Sequence, residues 1–190
     1  MSNYKEEFKT VDSLLESNFK TRAVDAFVIS LIKVERQIRR IFTFLIYQNE
    51  SYKRGDGIKL RKTLADNNKI YLKHFIKGID KCYSKTVEQI YGKDYSNDLK
   101  AIDEITKDRN KIFHGQVTNK RLNREDLIKK TNLMKKWCNN LAGKFLSEIG
   151  YDGFERNAYR KSKAKINLAN TSEFDTLEKY ADLLKKISSG

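Results

Sequence analysis

Apolar residues recur every three or four positions along most of this chain, and runs alternating with period two are hard to find, so the pattern predicts helices from end to end. The strongest stripe is Ala23, Phe27, Leu31, Val34, Ile38, Ile41, Phe42 and Leu45, which predicts one long helix over 22–48. The run Lys53-Arg54-Gly55-Asp56-Gly57 breaks the pattern after it. A short helix is predicted before it, over 11–19. Two or three shorter ones are predicted over 58–91, interrupted at Asn67-Asn68 and stopped by Gly92. A further helix is predicted from Ser96, an N-cap candidate with Asp98 in the first turn, to Gly115 at the C′ position. Asn123, followed by Glu125 and Asp126, caps another long helix that ends near Ile149 and carries Leu127, Leu133, Met134, Trp137, Leu141, Phe145 and Leu146 on its apolar side. Beyond Gly150, the stretch from Phe154 to Lys165 interleaves Arg156, Arg160, Lys161, Lys163 and Lys165 with Phe154 and Tyr159, and a short amphipathic helix is predicted over 172–187.

These elements add up to an all-α antiparallel helical bundle over 1–150, with a basic C-terminal segment and terminal helix over 151–190 packing on the same domain. Composition agrees. The chain has no proline, its nine glycines sit mostly at segment ends, and 39% hydrophobic residues in 190 can supply one core. No apolar run is long enough to span a bilayer and the first ten residues lack a signal-peptide core, which predicts a soluble cytoplasmic protein with no membrane partner. Cys82 and Cys138 are too few and too far apart for a disulfide framework or a metal knuckle and are expected to be packing residues. The net charge of +14 attracts polyanions and favours nucleic acid; a lysine-rich surface that reflects A+T-rich codon usage is the alternative.

The candidate chemistry lies in Arg109-Asn110-Lys111-Ile112-Phe113-His114-Gly115. Leu99, Ile102, Ile105 and Ile112 form an apolar stripe, and Arg109 falls in the middle of it where a leucine is expected. A guanidinium there needs a carboxylate, a phosphate or an exposed groove. Asn110 shares a face with His114, placed to hydrogen-bond the imidazole or a phosphate oxygen. The helix C-terminus favours the imidazolium form of His114. A permanent cation beside a histidine suits cleavage of a phosphodiester by the RNA 2′-hydroxyl, with the arginine stabilising charge on phosphorus and the histidine moving protons. On an ideal helix residues five apart point about 140° away from each other, so a second copy of the motif across a two-fold dimer is expected to complete the site. No carboxylate or histidine cluster at metal-ligand spacing is evident, and neither a metal nor another cofactor is called for.

Arg109-Asn110-x-x-x-His114-Gly115 resembles the RxxxxH motif of the HEPN superfamily, all-α domains that include metal-independent ribonucleases of toxin-antitoxin, abortive-infection and CRISPR systems. Asn110 matches the polar residue that usually follows the arginine. The resemblance implies a homodimer with a composite RNA-cleaving site that leaves a 2′,3′-cyclic phosphate and a 5′-hydroxyl. It implies catalytic roles for Arg109, His114 and Asn110, a toxin or antiviral defence effector, and an antitoxin, sensor or ATPase as regulatory partner. Some members serve only as binding or dimerisation modules, and a non-catalytic helical module binding nucleic acid or protein is the alternative.

Other basic residues are candidates for RNA contact: Arg36, Arg39 and Arg40 on the long helix, Lys111 in the motif, and Arg156, Arg160 and Lys161 in the C-terminal segment. Each has a structural counterpart. Arg109 can pair with an acid such as Glu35, the charged run on the long helix can be a solvated face, and 154–165 can be a lysine-rich linker. His74 has no acid or hydroxyl constellation around it and is expected at the surface or in packing.

Overall fold

A computed structural model describes residues 2–67, 69–113, 122–155 and 157–189. Among them are eight α-helices: α1 (Tyr4–Glu16), α2 (Arg22–Gln48), α3 (Asp56–Ala65), α4 (Leu72–Cys82), α5 (Val87–Tyr91), α6 (Tyr95–Phe113), α7 (Arg124–Ile149) and α8 (Leu177–Ser188). A single 3-10 turn, Thr171–Glu173, precedes α8, and the isolated bridge Tyr83–Leu168 is the extended pairing among the described residues. The fold is all-α.

The centre is α2, about 40 Å long at 1.5 Å per residue, which packs against α7, α4 and α1. Every residue of its predicted stripe is buried, but burial goes further: Ile41 to Tyr47 are seven consecutive buried positions. A helix covered all round must be wrapped on every side. Phe42 meets Phe75 of α4 and Tyr180 of α8, Phe44 stacks on Tyr151 with centroids 4.5 Å apart, and Tyr47 sits edge-on to Tyr159. Residues after Gly150 thus share one core with the helices before it, and Tyr151, Phe154, Phe174, Tyr180 and Leu184 are buried in that core.

Two polar residues lock this arrangement. Gln37, fully buried on α2, donates its amide to Cys138 O of α7 at 3.0 Å and to Asp152 O at 3.1 Å. Asp152, also buried, accepts from Ser2 Oγ and from the backbone N–H groups of Asn3, Phe154 and Glu155, which ties the start of α1 to the turn after α7. Between them Gly153 takes φ +79°, and a Cβ there would lie 2.6 Å from Gln37 Cγ and 2.9 Å from Gln37 O. Only glycine allows that approach.

Several expected boundaries shift. The first helix runs Tyr4–Glu16 rather than 11–19, because Phe8 and Val11 already bury one face and Asp152 anchors Asn3; Phe19 stands 65% exposed beyond it. Ser96 is not an N-cap: α6 begins at Tyr95, with Asp98 N–H bonding Asp94 O, and the Ser96 hydroxyl turns to Glu88. Leu133 is 41% exposed instead of facing the core, since Met134 and Trp137 fill the buried side of α7. Gly115, the expected C′ residue, lies outside the described residues.

Gly153→Ala is expected to destabilise the protein by about 2 kcal/mol or more, through the positive φ and the contact with Gln37. Gly143→Ala, in α7 with no atom near the added methyl, is expected to stabilise it by about 0.5–1 kcal/mol. Urea unfolding of the two variants beside the parent checks both signs.

Candidate functional site

Arg109 emerges where the buried face of α6 leaves the core. Ile102 and Ile105 are 1% exposed, and Arg109, one turn beyond Ile105, is about a quarter exposed. Its Nη2 donates to Glu35 Oε1 of α2 at 3.0 Å and its Nη1 to Asn110 Oδ1 at 3.0 Å. The predicted carboxylate partner is therefore Glu35, which is itself only half-buried. Asn110 is exposed, with its amide oxygen taken up by Arg109, and Lys111 is half-buried beside it. Asp108 on the same turn meets Lys130 of α7 at 3.0 Å and holds the end of α6 against the bundle. His114 lies outside the described residues.

Glu35 also faces a cleft of about 730 Å³. One wall is α2, with Ile32, Glu35, Arg36, Arg39 and Arg40; the other carries Arg61 of α3, and Ile70, Tyr71, Phe75 and Tyr159 make the apolar surface between them. Four guanidiniums against one carboxylate leave this cleft strongly positive. They are not equivalent. Arg36 is ion-paired with Glu7 of α1, which also takes Lys33 at 2.7 Å, and burial together with Arg40 and Arg39 pushes the Arg36 pKa down. Arg40 donates to Phe154 O at 3.1 Å. Arg39 and Arg61 are exposed and have no carboxylate partner among the described residues, and Arg61 lies 5.4 Å from the centre of the Tyr159 ring.

The basic residues of the C-terminal segment are placed otherwise. Arg160 donates to Glu155 at 2.7 Å and to Gly150 O, and covers the stacked rings of Phe44 and Tyr151. Lys161 donates to Tyr47 O and Asn49 O, each at 2.7 Å, so its ammonium closes the C-terminal end of α2, where a positive charge is favoured; burial lowers its pKa. Both cationic heads turn toward the body of the fold, and Arg156 lies outside the described residues. Of the predicted site residues, the fold brings Arg36, Arg39 and Arg40 to one cleft and joins Arg109 to it through Glu35. Arg61 and Tyr71 escaped the sequence reading, because nothing in the spacing of α3 or of the loop before α4 shows that they fold toward α2, and Tyr159, read as part of the basic C-terminal segment, lines this cleft instead.

Cys82 and Cys138 are buried free thiols; burial pushes Cys82 up to about 12 and Cys138 well above its ordinary value, which suits packing and not nucleophilic chemistry. Among the described residues no three His, Cys, Asp or Glu side chains gather as a metal site, and no helix is long and apolar enough to cross a membrane.

Residues 4–152 match the Apea-like HEPN family. The chain belongs to the HEPN superfamily. No curated protein and no solved structure matches it. The match runs from α1 to Asp152 and so takes in the α2, α3 and α4 walls of the cleft, Glu35 and the Arg109 motif, while Tyr159, Arg160, Lys161 and α8 follow it. HEPN membership makes this an RNase-like or nucleotide-binding module.

In this HEPN domain the second histidine supports the cleft from behind. His74 is 5% exposed, and its Nδ1 accepts the Tyr71 backbone N–H at 3.1 Å, fixing the first turn of α4 and the rim residue Tyr71. It is a packing residue and not a surface one. Burial, with Lys73 and Lys77 nearby, lowers its pKa below the ordinary 6.5. The unfolded chain therefore binds this proton more readily. Stability is fully present above about pH 6.5 and is lost as pH falls through the lowered native value. His74→Gln keeps an acceptor but does not titrate, and its melting temperature is expected to drop less than that of the parent between about pH 7.5 and about pH 5.

Proposed function

We propose that this HEPN chain is a metal-independent endoribonuclease. What supports it most directly is the placement of the motif arginine: Arg109 is held by Glu35 beside an arginine-walled cleft, where a polyanion is attracted and a phosphate can be reached. The RNA 2′-hydroxyl attacks the adjacent phosphorus, the bond to the 5′-oxygen breaks, and a 2′,3′-cyclic phosphate and a 5′-hydroxyl are left. Arg109 stabilises the charge on the pentavalent phosphorus, His114 takes the proton from the 2′-hydroxyl or supplies one to the leaving oxygen, and Asn110 orients the arginine to which it is hydrogen-bonded. Arg36, Arg39, Arg40 and Lys111 contact the RNA backbone. Two copies of the motif in a homodimer complete the site, since residues five apart on an ideal helix point about 140° away from each other. The biological setting we infer is a cytoplasmic toxin or antiviral defence effector, kept in check by an antitoxin, a sensor or an ATPase.

The ion pair between Arg109 and Glu35 also favours a second reading, in which the arginine is structural and the domain binds RNA or a protein partner without cutting. One assay separates the two. Purified protein in excess chelator is expected to cut single-stranded RNA and to leave DNA of the same sequence intact. Arg109→Ala and His114→Ala are each expected to slow cleavage by about 10² or more while the circular-dichroism melt stays close to that of the parent. Cleavage that stops on chelation, or that survives both substitutions, rejects the ribonuclease assignment at this site.

A further inference from the structure

The cleft beside Glu35 holds more than positive charge. Arg39 and Arg61 face it from opposite walls with no carboxylate partner among the described residues, and between them lies a surface of Ile70, Tyr71, Phe75 and Tyr159. The Tyr71 ring is 60% exposed and Ile32 is 53% exposed, so two of the exposed large apolar side chains of the domain meet at this one cleft. Tyr159 is seated on Gly57, where a side chain would collide with its ring, and Arg61 lies over its face. His74 fixes the backbone of Tyr71 from behind. The Tyr159 ring and the backbone that carries Tyr71 are thus set before any ligand arrives.

Guanidiniums bind phosphate oxygens through paired N–H donors, and an exposed aromatic face stacks a base that has left its helix. A volume of about 730 Å³ is in the range of sites for small organic ligands. An acidic peptide would use the arginines but leave the rings idle, and an apolar ligand would leave the arginines uncompensated. We infer that this cleft is a subsite for one unstacked nucleotide of the RNA strand, with its base on Tyr71 and its flanking phosphates on Arg39 and Arg61. Glu35 lines the subsite and holds Arg109, so the nucleotide seated there lies next to the phosphate to be cut. The inference rests on the ribonuclease reading and adds to it a requirement for single-stranded or flipped-out substrate.

Binding can be measured apart from cleavage with a fluorescein-labelled 2′-fluoro oligoribonucleotide, which carries no 2′-hydroxyl to attack. Fluorescence anisotropy of the full chain at several salt concentrations is expected to show that Arg39→Gln/Arg61→Gln weakens binding at least tenfold and makes the salt slope shallower by about 0.7 per lost phosphate contact. Tyr71→Ala is expected to weaken binding about tenfold with the slope unchanged. All three side chains are exposed, and a circular-dichroism melt confirms that each variant is folded. Unchanged affinity in both variants, or equal binding of a fully paired duplex, overturns the subsite even if Arg109→Ala abolishes cleavage and the ribonuclease assignment stands. Cleft-dependent binding with no cleavage of natural RNA keeps the subsite and rejects the ribonuclease. Adenosine 5′-monophosphate is the second probe: affinity equal to that of the oligonucleotide overturns the strand assignment in favour of a free nucleotide, and much weaker affinity supports it.

Discussion

The buried amide of Gln37 is the constraint on which the rest of the structure depends. By donating to Cys138 O in the middle of α7 and to Asp152 O beyond its end, it sets how α2 lies on α7 and where the chain turns after it. Left without partners, such a buried group costs about 1–3 kcal/mol, so any other register of the two helices carries that penalty. With Gln37 turned inward, Glu35, Arg36, Arg39 and Arg40 are presented to the cleft and Ile38 and Ile41 to the core. The same turn, held by Asp152 and passable only because residue 153 is glycine, brings Tyr159 to the far side of that cleft.

The pair between Glu35 and Arg109 joins this frame to the motif helix. Both side chains are about a third exposed, and ion pairs of that kind contribute at most about 1 kcal/mol. Its importance is directional. A guanidinium on a flexible stem is fixed by one carboxylate and one neighbouring amide, so the charge arrives oriented at the edge of the cleft and no ordering is needed when a phosphate enters. The wider positive field has a different origin. Among the described residues Arg39 and Arg61 have no carboxylate partner, whereas Arg36, Arg160 and Lys161 are committed to Glu7, Glu155 and the α2 terminus. The charge count of the chain overstates what it can offer a ligand.

What was legible in the amino-acid order is what local physics decides. The stripe of α2 and the breaker after it placed Arg22–Gln48, the Asn123 cap with Asp126 placed the start of α7, and an arginine in the apolar stripe of α6 called for an acid that the fold supplies as Glu35. Long-range contacts were not legible. Arg160 and Lys161 looked like a phosphate-binding surface because a cation that closes a helix end or covers an aromatic pair has the same composition as one that faces solvent. Arg61 and Tyr71 carry no local signal, since the α2 wall they face lies across one connection from Arg61 and across two from Tyr71. Ser96 and Leu133 show the limit of reading caps and stripes alone: Asp94 opens α6 two residues before the expected cap, and Met134 and Trp137 use up the buried face of α7.

The central claim is chemical: Arg109, in its place beside the cleft, serves a reaction in which the RNA supplies its own nucleophile. The chemistry of the product ends tests it most directly. Fragments released by the purified protein should carry a 2′,3′-cyclic phosphate that resists phosphatase until it is opened by acid, and a 5′-hydroxyl that accepts label from polynucleotide kinase without prior dephosphorylation. A 3′-hydroxyl and a 5′-phosphate on those fragments would show that water was the nucleophile and would contradict the account.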